Sequence, residues 1–211
     1  MLNIHQFTYG GDNYGVLLQE PDSGATALVD AGDATAALAA LAETGWSLSQ
    51  IWLTHHHDDH TAGTTEIVAA TGAGVHGPAS ITSVTTPVAD GGEIDFGGVK
   101  VTAIATPGHT MDMLNFHIPS EKLLFTGDTL FAMGCGRLFE GDAATMWASL
   151  CKLMSLDDET VIYCGHEYTA ANADFALSVD PDNDALLRRV AAVRDLRSAG
   201  QPTIPTILAL E

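Results

Sequence analysis

The sequence predicts an α/β protein in which a sandwich of two sheets carries helices on both outer faces. Three observations lead there. Strand-type and helix-type hydrophobic patterns alternate along the 211 residues, yet many neighbouring strands are joined by hairpins, which a doubly wound parallel sheet would not use. The length and the 46% hydrophobic content are those of one globular domain, or one domain with an appendage. The polar clusters all fall just after strands: "HHHDDH" after "IWLT", "PGHT" after "VTAIAT", "GDT" after "LLFT" and "GHE" after "VIYC". Loops gathered at one edge of a rigid scaffold are where sites are built.

Taken in order, "LNIHQFTY", "YGVLLQE" and "TALVD" read as three short strands, separated by Gly/Asp/Asn and Pro-Asp turns. "DATAALAALAET" is Ala/Leu-rich and opens on an Asp suited to an N-cap, so residues 33–44 form a helix. "SQIWLT" is a short buried strand, "GTTEIVAATG" a helix and "AGVHG" a strand. Residues 93–105 alternate around "GG" as a hairpin. "MLNFHI" and "KLLFTGD" make another strand pair, and "DAATMWASLCKLMSL" an amphipathic helix. "TVIYCGH" is a strand, "NADFALSV" a helix, and residues 184–198 a last helix.

The formal charge is −19. That charge speaks against nucleic acid and against anionic membranes as partners, because both are recognised through Lys and Arg. No apolar run reaches the roughly 18 residues of a membrane helix. "MLNIHQF" lacks the basic and apolar regions of a secretory signal. Cys135, Cys151 and Cys164 are odd in number and scattered, which suits a reducing cytoplasm rather than a disulfide framework. A cytoplasmic monomer is expected.

Four of the nine histidines lie within residues 55–60, interleaved with Asp58 and Asp59. A cloning tag would sit at a terminus and carry no carboxylates. Imidazole nitrogen and carboxylate oxygen are the ligands of zinc and similar metals. In an extended turn His55 and His57 point the same way, while Asp59 and His60 diverge toward a neighbouring site. Isolated "PGHT", "GDT" and "GHE" words add His109, Asp128 and His166.

H-x-H-x-D-H at 55–60, followed by His109, Asp128 and His166, resembles the ligand pattern of the metallo-β-lactamase superfamily. "DNY", "LTHHHDDHTAG", "TPGHT", "FTGDTLF", "GCGRLFEG" and "YCGHEYT" together resemble glyoxalase II, the hydroxyacylglutathione hydrolases, from Met1 to about Leu210. The resemblance implies a four-layer αββα sandwich with a short C-terminal helical appendage. Residues 1–168 would be the catalytic domain and 169–211 the helical segment, shorter than is usual in the family. It also implies two divalent metal ions, zinc first, with iron or manganese as alternatives that mixed His and Asp ligation does not separate. His55, His57 and His109 would hold the first ion, and Asp59, His60 and His166 the second. Asp128 would bridge both, and Asp59 and Asp128 would be the catalytic carboxylates. The implied reaction is hydrolysis of S-D-lactoylglutathione, or a related S-2-hydroxyacylglutathione, to glutathione and D-lactate, a step of methylglyoxal detoxification. The attacking hydroxide would come from a water shared by the two cations.

On the substrate side, some family members carry Lys and Tyr where this chain has Arg137 and Phe139, and Tyr168 matches a family glutathione contact. Arg137 keeps the charge and adds bidentate reach to a carboxylate. Phe139 lacks the phenol. His56 is expected to orient its neighbours, Asp58 to be a solvated carboxylate, and Cys164 to be a buried structural thiol. Relatives continue past "PTIPTILALE" into a basic segment that grips glutathione. With Arg188, Arg189, Arg194 and Arg197 on the last helix as the only substitutes, partial compensation at best is expected. Alternatives are a lactonase or broad acyl-thioesterase of the same fold, and a non-catalytic metal-binding module. The complete set of seven ligands argues against the last.

Overall fold

The first sheet grows from the N-terminal hairpin outward in the computed structural model, which describes residues 1–211. Strand β1 (Asn3–Tyr9) pairs antiparallel with β2 (Asn13–Gln19), and β2 with β3 (Thr26–Val29). Helix α1 (Ala34–Thr44) crosses to β4 (Gln50–Trp52), parallel to β3. A single turn α2 (Asp58–Thr61) and helix α3 (Thr64–Thr71) lead to β5 (Gly74–Gly77) and the edge strand β6 (Thr86–Pro87), both parallel. Strands β1 to β6 follow one another in space.

The second sheet starts from the hairpin of β7 (Glu93–Phe96) and β8 (Val99–Ala105), adds β9 (Leu114–Ile118), and then β10 (Leu123–Gly127). A small hairpin of β11 (Leu130–Phe131) and β12 (Gly134–Cys135) stands apart from it. Helix α4 (Ala143–Leu153) then carries the chain to β13 (Val161–Cys164), parallel to β10. Helices α5 (Thr169–Val179) and α6 (Asp184–Ser198) precede β14 (Thr206–Ile207), which closes the sheet antiparallel to β13.

Strand alternation makes the layers. Val16, Leu18, Val29 and Trp52 of the first sheet meet Phe96, Val101, Phe116 and Phe125 of the second in the central core. Trp52 is fully buried, with the Phe96 ring 5.1 Å away edge-on and Phe116 at 5.7 Å. The opposite faces of the same strands point outward. Leu17, Leu28, Ile51 and Val75 pack under Ala37, Leu41 and Ile67 of the helices. Leu124 and Ile162 pack under Leu153 and Leu208. The result is the expected sandwich with helices outside both faces.

Asp33 caps α1 as its residue type predicts, accepting from Ala36 N at 2.9 Å, and Gly45 ends the helix at φ 71°. The sequence-based expectation differs in four places. Residues 58–61 coil into a turn instead of staying extended, because the His57 carbonyl accepts from His60 N (3.0 Å) and Thr61 Oγ1 (3.0 Å). Helix α5 starts at Thr169, three residues before the predicted "NADFALSV". Strands β6, β11, β12 and β14 have only two residues each, too few to show a period. Residues 169–211 are not purely helical either, since β14 pairs with β13. No helix is long and apolar enough to cross a membrane.

Candidate metal centre and substrate pocket

The predicted ligands sit on the loops leaving strand ends, or, for Asp59 and His60, on the single turn α2 that follows β4, and those strand ends share one edge of the sandwich. His55 and His57 follow β4, and His60 lies on α2. His109 follows β8, Asp128 follows β10, and His166 follows β13. His55 Nε2 lies 3.0 Å from His57 Nδ1, which lies 3.0 Å from His109 Nε2. His60 Nε2 and His166 Nε2 are 3.3 Å apart, with Asp59 Oδ2 at 3.5 and 3.4 Å from them. Asp128 stands between the groups, Oδ1 3.4 Å from His60 Nε2 and Oδ2 3.3 Å from the Nε2 atoms of both His109 and His166. Three overlapping sets result: His55, His57, His109; His55, His60, Asp128; and Asp59, His60, His166.

The residues behind these side chains aim them. Asp30 accepts from Thr54 N (2.8 Å), Thr54 Oγ1 (3.0 Å) and His60 Nδ1 (2.8 Å). It does so from a left-handed φ of 57° at the end of β3, the kind of strained backbone that gathers at functional sites. With its own proton committed to Asp30, Thr54 Oγ1 accepts from His55 Nδ1 (2.9 Å). His109 Nδ1 donates to the Arg137 carbonyl (2.8 Å), and His166 Nδ1 to Asp12 Oδ1 (2.9 Å). Asn13 Nδ2 donates to Asp59 Oδ2 (3.0 Å). Gly136 leaves room for this loop, since a Cβ there would collide with the Asp128 carbonyl oxygen. Sequence reasoning assigned no role to Asp12, Asn13, Asp30 or Thr54. Asp30 did carry a signal, as a carboxylate just after a buried strand.

This donor set fits a divalent cation. His55 and His109 both spend their Nδ1 protons outward, so their Nε2 lone pairs converge on His57 Nδ1, which can satisfy only one of them with a proton. The 3.0 Å spacings approach the roughly 3.3 Å between ligands of a tetrahedral ion bound at about 2.0–2.1 Å. Asp128 Oδ1 is buried without a hydrogen-bond partner. Burial, reinforced by His60, pushes the His55 imidazole down to about 2, leaving it neutral as a ligand must be. Burial also lowers His57. The second set demands positive charge. Burial works against a charged His166, but hydrogen bonds to Asp128 and Asp59 push it up to about 10. A hydrogen bond to His166 holds the Asp59 carboxyl well below its usual range.

These groups open into a cavity of about 590 Å³ that is also lined by Asp58, Phe131, Arg137, Phe139 and Tyr168. The Arg137 guanidinium carbon lies 5.7 Å over the Phe139 ring, and that ring stands edge-on to His57 and His109. Tyr168 stacks on His166 with centroids 4.7 Å apart. Asp58 is exposed on the rim. Cys164 is buried, its Sγ donating to the His166 carbonyl at 3.3 Å. His56 points away from the ligand cluster. None of the four C-terminal arginines lines the cavity. Arg189 pairs with Glu211 (2.9 Å), Arg194 with Asp174 (2.9 Å), and Arg197 donates to the Gln201 carbonyl (2.7 Å). The expectation of partial compensation at best stays within these bounds, since three of the four charges are spent on the chain's own acceptors.

Comparison with known proteins adds an independent line. Residues 9–90 and 77–166 match the metallo-beta-lactamase superfamily, and residues 167–211 match the hydroxyacylglutathione hydrolase C-terminus. A hydroxyacylglutathione hydrolase of Maricaulis maris is 50% identical over 214 residues, spanning all of this chain and 84% of the relative. Among solved structures, ETHE1 from Myxococcus xanthus superposes with a TM-score of 0.72 at 26% identity, covering 94% of this chain and all of that one. TTHA1623, crystallised in a di-iron-bound form, superposes with a TM-score of 0.67 at 27% identity, covering 77% of this chain and 91% of that one.

Proposed function

The chain belongs to the hydroxyacylglutathione hydrolases of the metallo-beta-lactamase superfamily and hydrolyses hydroxyacylglutathione thioesters; from that premise we propose that it converts S-D-lactoylglutathione to glutathione and D-lactate at a centre of two metal ions. The observation that carries this reading is the opening of three overlapping His/Asp sets into the cavity lined by Arg137, Phe139 and Tyr168. His55, His57 and His109 would hold one ion, Asp59, His60 and His166 the other, and Asp128 would join them. Zinc is the first choice, with iron or manganese as alternatives. When bound, the cations supply Lewis acidity, which activates water near neutral pH and polarises the thioester carbonyl.

The protein's own groups do the rest. Asp59, fixed by Asn13 and exposed toward the cavity, accepts a hydrogen bond from the attacking water and so orients it. The leaving group is a thiol with an ordinary pKa of about 8.5, so it departs as thiolate without a general acid. Arg137 receives a carboxylate of the glutathione moiety, and Phe139 and Tyr168 wall its peptide part. Residues 1–168 carry the chemistry in this reading, and 169–211 brace the loop of His166.

The test is thiol release from lactoylglutathione on metal-quantified protein, compared with a lactoyl thioester of a small neutral thiol. Arg137→Ala should raise KM more than it lowers kcat. A charge-assisted contact of roughly 1.5–3 kcal/mol corresponds to about a ten- to hundredfold loss in kcat/KM. Unchanged kinetics would remove Arg137 from the site, and hydrolysis that ignores the glutathione moiety altogether would favour a broad acyl-thioesterase.

A further inference from the structure

His56 lies between two ligand candidates, yet its ring turns outward and holds two other loops. Its Nδ1 is 3.0 Å from each oxygen of Asp112, and its Nε2 is 3.4 Å from Glu140 Oε1. Asp112 is itself fixed. It accepts from Ser80 Oγ (2.6 Å) and from Thr110 Oγ1 (2.7 Å), next to His109. Glu140 uses its second oxygen to accept from Met111 N (2.6 Å). Three loops of the site thus meet at one exposed imidazole: the 54–57 loop, the 106–113 loop, and the loop bearing Arg137 and Phe139.

The third loop needs such a hold. Its main chain is tied to the 106–113 loop at three points, His109 Nδ1 to the Arg137 carbonyl (2.8 Å), Phe139 N to the His109 carbonyl (3.2 Å) and Gly141 N to the Gly108 carbonyl (3.0 Å), none of which fixes the side chains. Arg137, Leu138, Phe139 and Glu140 are all exposed, so little packing fixes them. Phe139 is 60% exposed although its edge meets His57 and His109. Glu140 follows Phe139 directly, so its side chain is the polar anchor best placed to set that ring and the guanidinium above it.

We propose that His56 is a positioning residue: by clasping Asp112 and Glu140 together it fixes the Arg137–Phe139 wall against which the glutathione moiety is bound. The proposal rests on the reading of that wall as the glutathione contact. It places His56 in substrate recognition and outside the chemical step, since neither ring nitrogen points at the ligand cluster. The energetic logic is preorganisation: a loop already held in its bound form loses less freedom when substrate arrives.

The experiment uses His56→Ala, Glu140→Ala, the double variant and Arg137→Ala, all metal-loaded. Each is measured for metal content, melting temperature, and KM and kcat toward lactoylglutathione and toward a lactoyl thioester of a small neutral thiol. His56→Ala and Glu140→Ala should each raise KM for lactoylglutathione about tenfold, with kcat changed less than about threefold and the small thioester unaffected. The double variant should be no worse than either single one, as expected for partners in one interaction. His56→Gln, which keeps a donor, should recover part of the loss. The proposal is overturned if His56→Ala lowers kcat for both thioesters together, or loses metal, or leaves KM unchanged while Arg137→Ala raises it. If Arg137→Ala itself leaves KM unchanged, the wall reading fails and the clasp fails with it.

Discussion

Asp128 reaches both halves of the ligand cluster, one oxygen toward His60 and the other toward His109 and His166. A single carboxylate shared in this way makes the two halves interdependent. Asp128→Ala is therefore expected to lose both ions together, whereas His109→Ala should mainly weaken the set it shares with His55 and His57. Elemental analysis after dialysis against a chelator checks this, and two equivalents retained by Asp128→Ala would refute a bridge. Cys164 shows the reverse case of a reactive residue type made inert. Burial pushes its thiol up to about 12, while Cys135 and Cys151 are exposed. At pH 8 the native protein should release two thiols to an alkylating reagent and the third only on unfolding. Labelling of Cys164 in the folded protein would contradict that. At this scale the candidate ligands stood out because six His and Asp in a row are rare. The groups behind them were not, since Asp12 is 154 positions from His166.

One carboxylate, Glu167, ties the segment after α6 to the sandwich. Glu167 accepts from Tyr14 Oη of β2 (2.6 Å), Thr203 N (2.8 Å) and Thr203 Oγ1 (2.8 Å). Glu167→Ala strands these donors in a half-buried place and should cost about 2–3 kcal/mol, read as a drop in melting temperature. The pH dependence has a definite sign. Burial raises this carboxyl's pKa, but the bonds from Tyr14 and Thr203 outweigh it and the net shift is downward. A lowered folded value stabilises the protein above the unfolded value of about 4.3, and that stabilisation is lost as pH falls through the folded value. The difference in stability between wild type and Glu167→Gln should therefore shrink on acidification below about pH 4.3. A gap that stays constant to acid would sink the argument. Elements of five residues or more were legible from period and capping, as with Asp33 and residues 184–198. Two-residue strands were not, because pairing with a distant strand defines them.

The molecule as a whole carries a formal charge of −19. Self-repulsion of that size weakens the compact state and is screened by salt. The melting temperature of the metal-loaded protein should rise between about 0.05 and about 0.5 M sodium chloride, as the Debye length falls. A flat or falling trend in calorimetry would mean that the surface charges are already locally compensated. The arginines of α6 show such compensation on a small scale, each of Arg189 and Arg194 facing a carboxylate.

By itself the sequence determined the strand and helix order, the sandwich with helices on both faces, and the residue types gathered at the site, because periodicity, caps and dense ligand words are local properties. Its resemblance to a family with the same words supplied the reaction class. Tertiary structure alone decided which nitrogen each histidine turns inward, since that follows from partners such as Asp30, Thr54, Asp12 and the Arg137 carbonyl. It also decided where the arginines of α6 spend their charge, and that His56 faces away from its neighbours toward Asp112 and Glu140. All of these are hydrogen bonds and ion pairs between residues far apart in the chain, and no local pattern encodes them.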